Sequence, residues 1–141
     1  MPQSNVGAPC PEITATENSI FVKYIIQNSS DEDDEYVTVQ FINSYIHTFG
    51  PPNDEAFTGH PLFKIGLRPY SAVEILESGW IDALESMNSV HPHHDKIQFL
   101  NNKRHFILSF HDTTFECVAY GYKIYKRAQQ GDAPEPASPA R

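Results

Sequence analysis

The sequence predicts an α+β domain: a mostly antiparallel, curved sheet with one packed helix. Three observations carry this. Stretches 19–27 (SIFVKYIIQ), 36–49 (YVTVQFINSYIHTF) and 105–126 (HFILSFHDTTFECVAYGYKIYK) are rich in β-branched and aromatic residues, the composition of strands. Only one stretch, SGWIDALESMNSV from Ser78, has a clear helical period. Strands and helices do not alternate, which argues against a parallel, doubly wound sheet.

Taken in order, residues 1–16 are polar and contain three prolines, so no structure is expected there. The Pro/Ala-rich tail, 128–141, is expected to be disordered for the same reason. That leaves 17–127 as a single domain, in keeping with a chain of 141 residues. The first two strands are joined by the acidic turn NSSDEDDE at 28–35. Val37, Val39 and Phe41 alternate with Thr38, Gln40 and Ile42, giving one apolar face. The stretch 50–61, GPPNDEAFTGHP, is a long loop of turn formers, and loops of that length are often binding elements. LFKIGLRPYSAVEILES offers one or two short strands.

The helix is expected over about 79–90. Ser78 is placed to cap it, and Trp80, Leu84 and Met87 fall at i, i+4 and i+7. Asp82 in the first turn complements the helix dipole, and Pro92 ends the helix. DKIQFLNN adds one further short helical turn. The last element reads as a long hairpin, about 105–126, turning at Asp112–Thr114 with His111 opposite Glu116. In that register Phe106, Leu108, Phe110, Cys117 and Ala119 share a core face. The other face carries His105, Ile107, Ser109, His111, Glu116, Val118, Tyr120 and Tyr122, a mixture suited to a cleft.

Charge narrows the partners. The formal net charge is −8 and the basic residues are scattered, which argues against nucleic acid and against an anionic membrane surface. No apolar run approaches the ~20 residues of a membrane span. The first residues lack the basic and apolar regions of a signal peptide, so a cytoplasmic location is expected. Cys10 and Cys117 form no disulfide framework, and Cys117 on the apolar face is expected to be an inert small hydrophobe.

Two stretches carry candidate chemistry. VHPHHD, 90–95, packs three histidines and an aspartate into six residues. His91 to Asp95 fits the start of the H-x-H-x-D-H motif of metallo-β-lactamase-like hydrolases. Lys96 stands where the last histidine is required, so that resemblance fails. The stretch reads as a helix-exit loop, with His94 or Asp95 capping the next turn. The mixed hairpin face is the second candidate. His111 and Glu116, if opposite, would make a base and its orienting carboxylate. With His91 and His93, or with His60, they would make a zinc or iron site. His105 and His111 are six residues apart, roughly 20 Å along a straight strand, so those two cannot share one metal.

No complete catalytic set is present. The leading expectation is a non-catalytic acidic module without a cofactor. It would bind a protein or small ligand through the 50–61 loop and the mixed face, with His60, His105, His111, Glu116, Tyr120 and Tyr122 as contacts. An acidic inhibitor of a basic protein is one form of this. The alternative is a small metal-dependent enzyme built on His91, His93, His111 and Glu116.

Overall fold

A computed structural model describes residues 1–7, 10–26 and 34–128. Among the described residues eight strands form two four-stranded sheets. The first contains β1 (Glu12–Ala15), β2 (Ser19–Ile25), β3 (Glu35–Ile42) and β8 (Gly121–Ala128), in the order β1-β2-β3-β8. The second contains β4 (Ile46–Gly50), β5 (Ala72–Ile75), β6 (Arg104–Ser109) and β7 (Thr114–Ala119), in the order β4-β7-β6-β5. Every pairing is antiparallel. Two helices, α1 (Gly79–Asn88) and α2 (Lys96–Asn101), lie between β5 and β6 in the chain. The α+β class is therefore present, with its strands divided between two sheets. Among the described residues no helix is long and apolar enough to cross a membrane.

The two-residue period of the strands builds the core. Ile20, Val22 and Tyr24 of β2 and Val37, Val39 and Phe41 of β3 turn one way. They meet Phe106, Leu108, Phe110, Phe115, Cys117 and Ala119 from the second sheet. Phe41 is central, with its ring 5.4 Å from Phe106 and 5.5 Å from Phe115. Complete burial of a phenylalanine stabilises by about 1.5–3 kcal/mol, so these side chains hold the sheets face to face.

The outer face of the second sheet is covered as well. Ile81, Leu84 and Phe99 from the helices pack on Val118. Phe57 and Leu67 from the segment between β4 and β5 pack on Ile107. With both faces occupied, β6 is buried at every position after Arg104. The helices begin where their caps place them. Ser78 Oγ accepts the Ile81 N–H at 3.3 Å, and Asp95 Oδ1 accepts the Gln98 N–H at 3.0 Å. Met87, expected on the packed face, is 72 % exposed, because the buried stripe of α1 runs through Ile81, Leu84 and Glu85 and Met87 falls to one side of it.

Three expectations change. The hairpin pairs Ile107 with Glu116 and turns at Phe110–Thr113, a register shift of four residues. An even shift leaves every side chain on the same face, so the apolar face is as expected while His111 moves into the turn. The hairpin also stops at Ala119. From Gly121 the chain crosses to the other sheet and pairs with β3, where Tyr122 packs 5.4 Å from Phe106. Finally, the N-terminal stretch is not without structure. Glu12–Ala15 pairs with β2, and the Tyr24 hydroxyl donates to the Pro2 carbonyl at 2.7 Å. Residues 27–33, which include most of the expected acidic turn at 28–35, and residues from 129 onward lie outside the described residues.

Candidate functional site

Alternation places His105 and Glu116 on the outer face of the second sheet. Their strand partners are Val118 and Ile107, so the two are diagonal neighbours, within reach of long side chains. His60 arrives from the 50–61 loop. A single 3-10 turn at Phe57–Gly59 ends at His60, whose ring stacks on buried Phe57 at 5.5 Å. Ser78 comes from the start of α1.

These four form one connected network. His60 Nε2 is 2.5 Å from Glu116 Oε1, and His105 Nε2 is 2.9 Å from Glu116 Oε2. His105 Nδ1 is 2.7 Å from Ser78 Oγ, and the Leu62 N–H donates to His60 Nδ1 at 3.1 Å. Trp80 stands edge-on to His105 at 5.1 Å. The Leu62 bond leaves His60 Nδ1 without a proton, so Nε2–H is the donor to the carboxylate. Likewise the Ser78 hydroxyl donates to His105 Nδ1 and His105 Nε2–H donates to Glu116. Burial pushes the Glu116 carboxyl upward, but hydrogen bonds from His105 and His60 outweigh it and hold the group below the usual glutamate range. His60, His105 and Ser78 are each at least nine-tenths buried. Both carboxylate oxygens and every imidazole nitrogen in the network have partners. No ring nitrogen offers a free lone pair to an ion, and both imidazoles are shut off from solvent, while the Glu116 side chain keeps 18 % exposure.

A second cluster lies at the hairpin tip. Asp54 Oδ2 accepts from the Tyr70 hydroxyl at 2.7 Å and from His111 Nδ1 at 2.8 Å. The Asp54 N–H donates to the His111 carbonyl at 2.9 Å, tying the loop to the turn. The hydrogen bond and charge of Asp54 raise the His111 pKa. Those from Tyr70 and His111 lower that of Asp54. Desolvation and the bond to Asp54 push the Tyr70 hydroxyl up to about 12. Tyr70 has a φ of 59°, a left-handed conformation that a bulky residue adopts only under constraint. The His111 side chain is 48 % exposed.

VHPHHD is the exit loop of α1. His94 Nε2 is 2.7 Å from Glu85 Oε1, and Asn88 donates to His94 Nδ1 at 2.9 Å. His91 Nδ1 accepts the His93 N–H at 3.1 Å. The hydrogen bonds made by these histidines stay within the α1–α2 corner.

The sequence-derived contact set therefore falls into four places. His60, His105 and Glu116 converge, with both imidazoles under cover. His111 is at the tip. Tyr120, 56 % exposed, is at the other end of the six-residue strand β7, about 20 Å away. Tyr122 joins the packing between the sheets. His111 does not face Glu116, because the register moves it into the turn. The alternative set of His91, His93, His111 and Glu116 is spread over three locations. Among the described residues no group of three or more His, Cys, Asp or Glu side chains is arranged to hold a metal. Burial raises the Cys117 thiol pKa, keeping it protonated. Ser78 was legible as a cap but not as a partner of His105. Tyr70 reads in the sequence only as one of several aromatics of a core or apolar pocket, and Asp54 is not marked out; a loop carboxylate with no element of its own to cap was the available signal.

Comparison with protein-family models, curated proteins and solved structures finds no match for this chain.

Proposed function

We propose that this chain is a non-catalytic binding module that takes a protein or small ligand where the 50–61 loop meets the hairpin tip. The observation that carries this reading is the difference in access across the mixed face. The His60 and His105 rings are covered and internally paired, whereas the His111 side chain is 48 % exposed; the two carboxylates, Glu116 and Asp54, are alike at 18 % and 20 %. Three further features support it. Tyr70 holds a constrained backbone, of the kind found at binding and switch sites. The Thr113 hydroxyl beside the cluster is buried without a hydrogen-bond partner. Exposed Glu55 and Asp112 flank His111, so the tip favours a basic partner and salt-sensitive association.

The test is affinity capture by the wild-type chain and by the double variant His111→Ala, Asp112→Lys. Capture of a basic partner that weakens with salt and is lost in the variant, at an unchanged thermal midpoint, supports the reading. Equal capture by both chains refutes it.

A further inference from the structure

VHPHHD remains unused by the tip. It borders an open cleft of about 350 Å³ at the α1–α2 corner, whose lining includes Asn88, His91, His93, Gln98, Asn102 and Lys103. That volume is within the range of small-molecule sites. Lys103 is its distinctive member. Its ammonium lies 4.1 Å from the centre of the Phe99 ring and 4.9 Å from that of Tyr45. Among the described residues no carboxylate lies within salt-bridge distance of it, in a chain of net charge −8. Desolvation there lowers its pKa, so a bound anion would restore the charge balance that packing disturbs.

The other lining groups point to the same ligand chemistry. His91 Nδ1 accepts the His93 N–H, so the His91 proton resides on Nε2. That tautomer donates to an acceptor and is the wrong one for a metal ion at Nε2. The carboxylate of the lining, Asp95, is engaged through Oδ1 as the cap of α2. No arginine fork lines the cleft to match a planar carboxylate. A compact ammonium with separate imidazole and amide donors instead suits a tetrahedral oxyanion, as lysine does at many phosphate sites.

We infer that the cleft between the VHPHHD loop, α2 and Lys103 binds the phosphate group of a small molecule, with Lys103 as the charge and His91 and His93 as donors. This goes beyond the tip reading and stands without it, since β6 separates Lys103 from the tip by its full length of about 20 Å.

The experiment is amide-resolved NMR titration of the full chain with inorganic phosphate and with phenyl phosphate, at ionic strength held constant with chloride. Saturable shifts at residues 88–103, absent with chloride alone, are expected. Tighter binding of phenyl phosphate would mark an organic phosphate as the ligand; equal binding would mark the free anion. Lys103→Met should weaken binding at least about tenfold, equivalent to 1.4 kcal/mol. Asn102→Asp, at an exposed position, should weaken it without touching the core. Lys126→Met, on exposed β8, should leave it unchanged. Absence of saturable shifts, or equal weakening by Lys126→Met, overturns the assignment.

Discussion

Two histidine–carboxylate clusters, one on the face of the β6–β7 hairpin and one at its tip, differ chiefly in the access of their imidazoles to water. At Glu116 the carboxylate receives two imidazole N–H groups, and the far sides of both rings are taken by Leu62 and Ser78. At Asp54 the carboxylate receives one imidazole and one phenol, and the imidazole opens to solvent. The first arrangement ties the 50–61 loop, the hairpin and the start of α1 together. The second ties the 50–61 loop and Tyr70 to the hairpin turn, with Tyr70 held in a left-handed backbone conformation. Histidine paired with carboxylate does not by itself signify chemistry. What decides is whether a nitrogen is left over.

Substitutions separate the two clusters. The largest effect is expected from Glu116→Ala, which leaves two buried imidazole donors unpaired. A loss of about 3 kcal/mol in unfolding free energy is expected, read by urea denaturation with Trp80, the sole tryptophan, as the fluorescent probe. A loss under about 0.5 kcal/mol, the range of an ordinary surface change, would remove the brace from the account.

Ser78→Ala comes next. It removes the α1 cap and the hydroxyl that satisfies His105, for a loss of about 1–2 kcal/mol. Ser78→Asp, which keeps the cap but cannot donate to His105 Nδ1 when ionised, should not restore full stability. Full recovery in that variant would assign Ser78 to capping alone.

Acid should weaken the brace in a defined direction. The folded Glu116 pKa is depressed, so its contribution is complete above the unfolded glutamate value of about 4.3. It is lost as pH falls through the folded value. Glu116→Gln should flatten the acid limb of the stability profile, and an unchanged limb would contradict the assignment.

The smallest effects belong to the tip. The His111 pKa is raised by Asp54, so its contribution is present below the unfolded imidazole value and lost as pH rises through the folded one. In Asp54→Asn the His111 titration, followed by NMR, should move down toward the ordinary histidine value, while the thermal midpoint hardly changes. A His111 titration unmoved by that substitution would mean that the contact does not persist in solution.

The sequence revealed strand faces better than strand partners. Val37, Val39 and Phe41, and Phe106, Leu108 and Phe110, declare their common side by alternation, and all are buried between the sheets. The hairpin register was not legible because a shift of four residues preserves those faces. The crossing after Ala119 was hidden because Tyr122–Lys126 continues the strand composition without a break. Coverage of the mixed face depends on Phe57, Leu67 and α1, which come from distant parts of the chain, and local periodicity contains no trace of it. Asp95 was legible as a cap from its place before a short helical turn. His60 was legible only as a histidine in a long loop, since its partner is 56 residues away.

The most direct test of the brace is the unfolding free energy of Glu116→Gln at neutral pH, measured by urea denaturation. The amide retains one acceptor oxygen but sets its NH2 group against an imidazole donor. A loss of about 1–3 kcal/mol is expected, the penalty of an unsatisfied buried polar group. An unchanged or increased stability, as when residues strained for activity are replaced, would contradict the account and return this cluster to the list of functional centres.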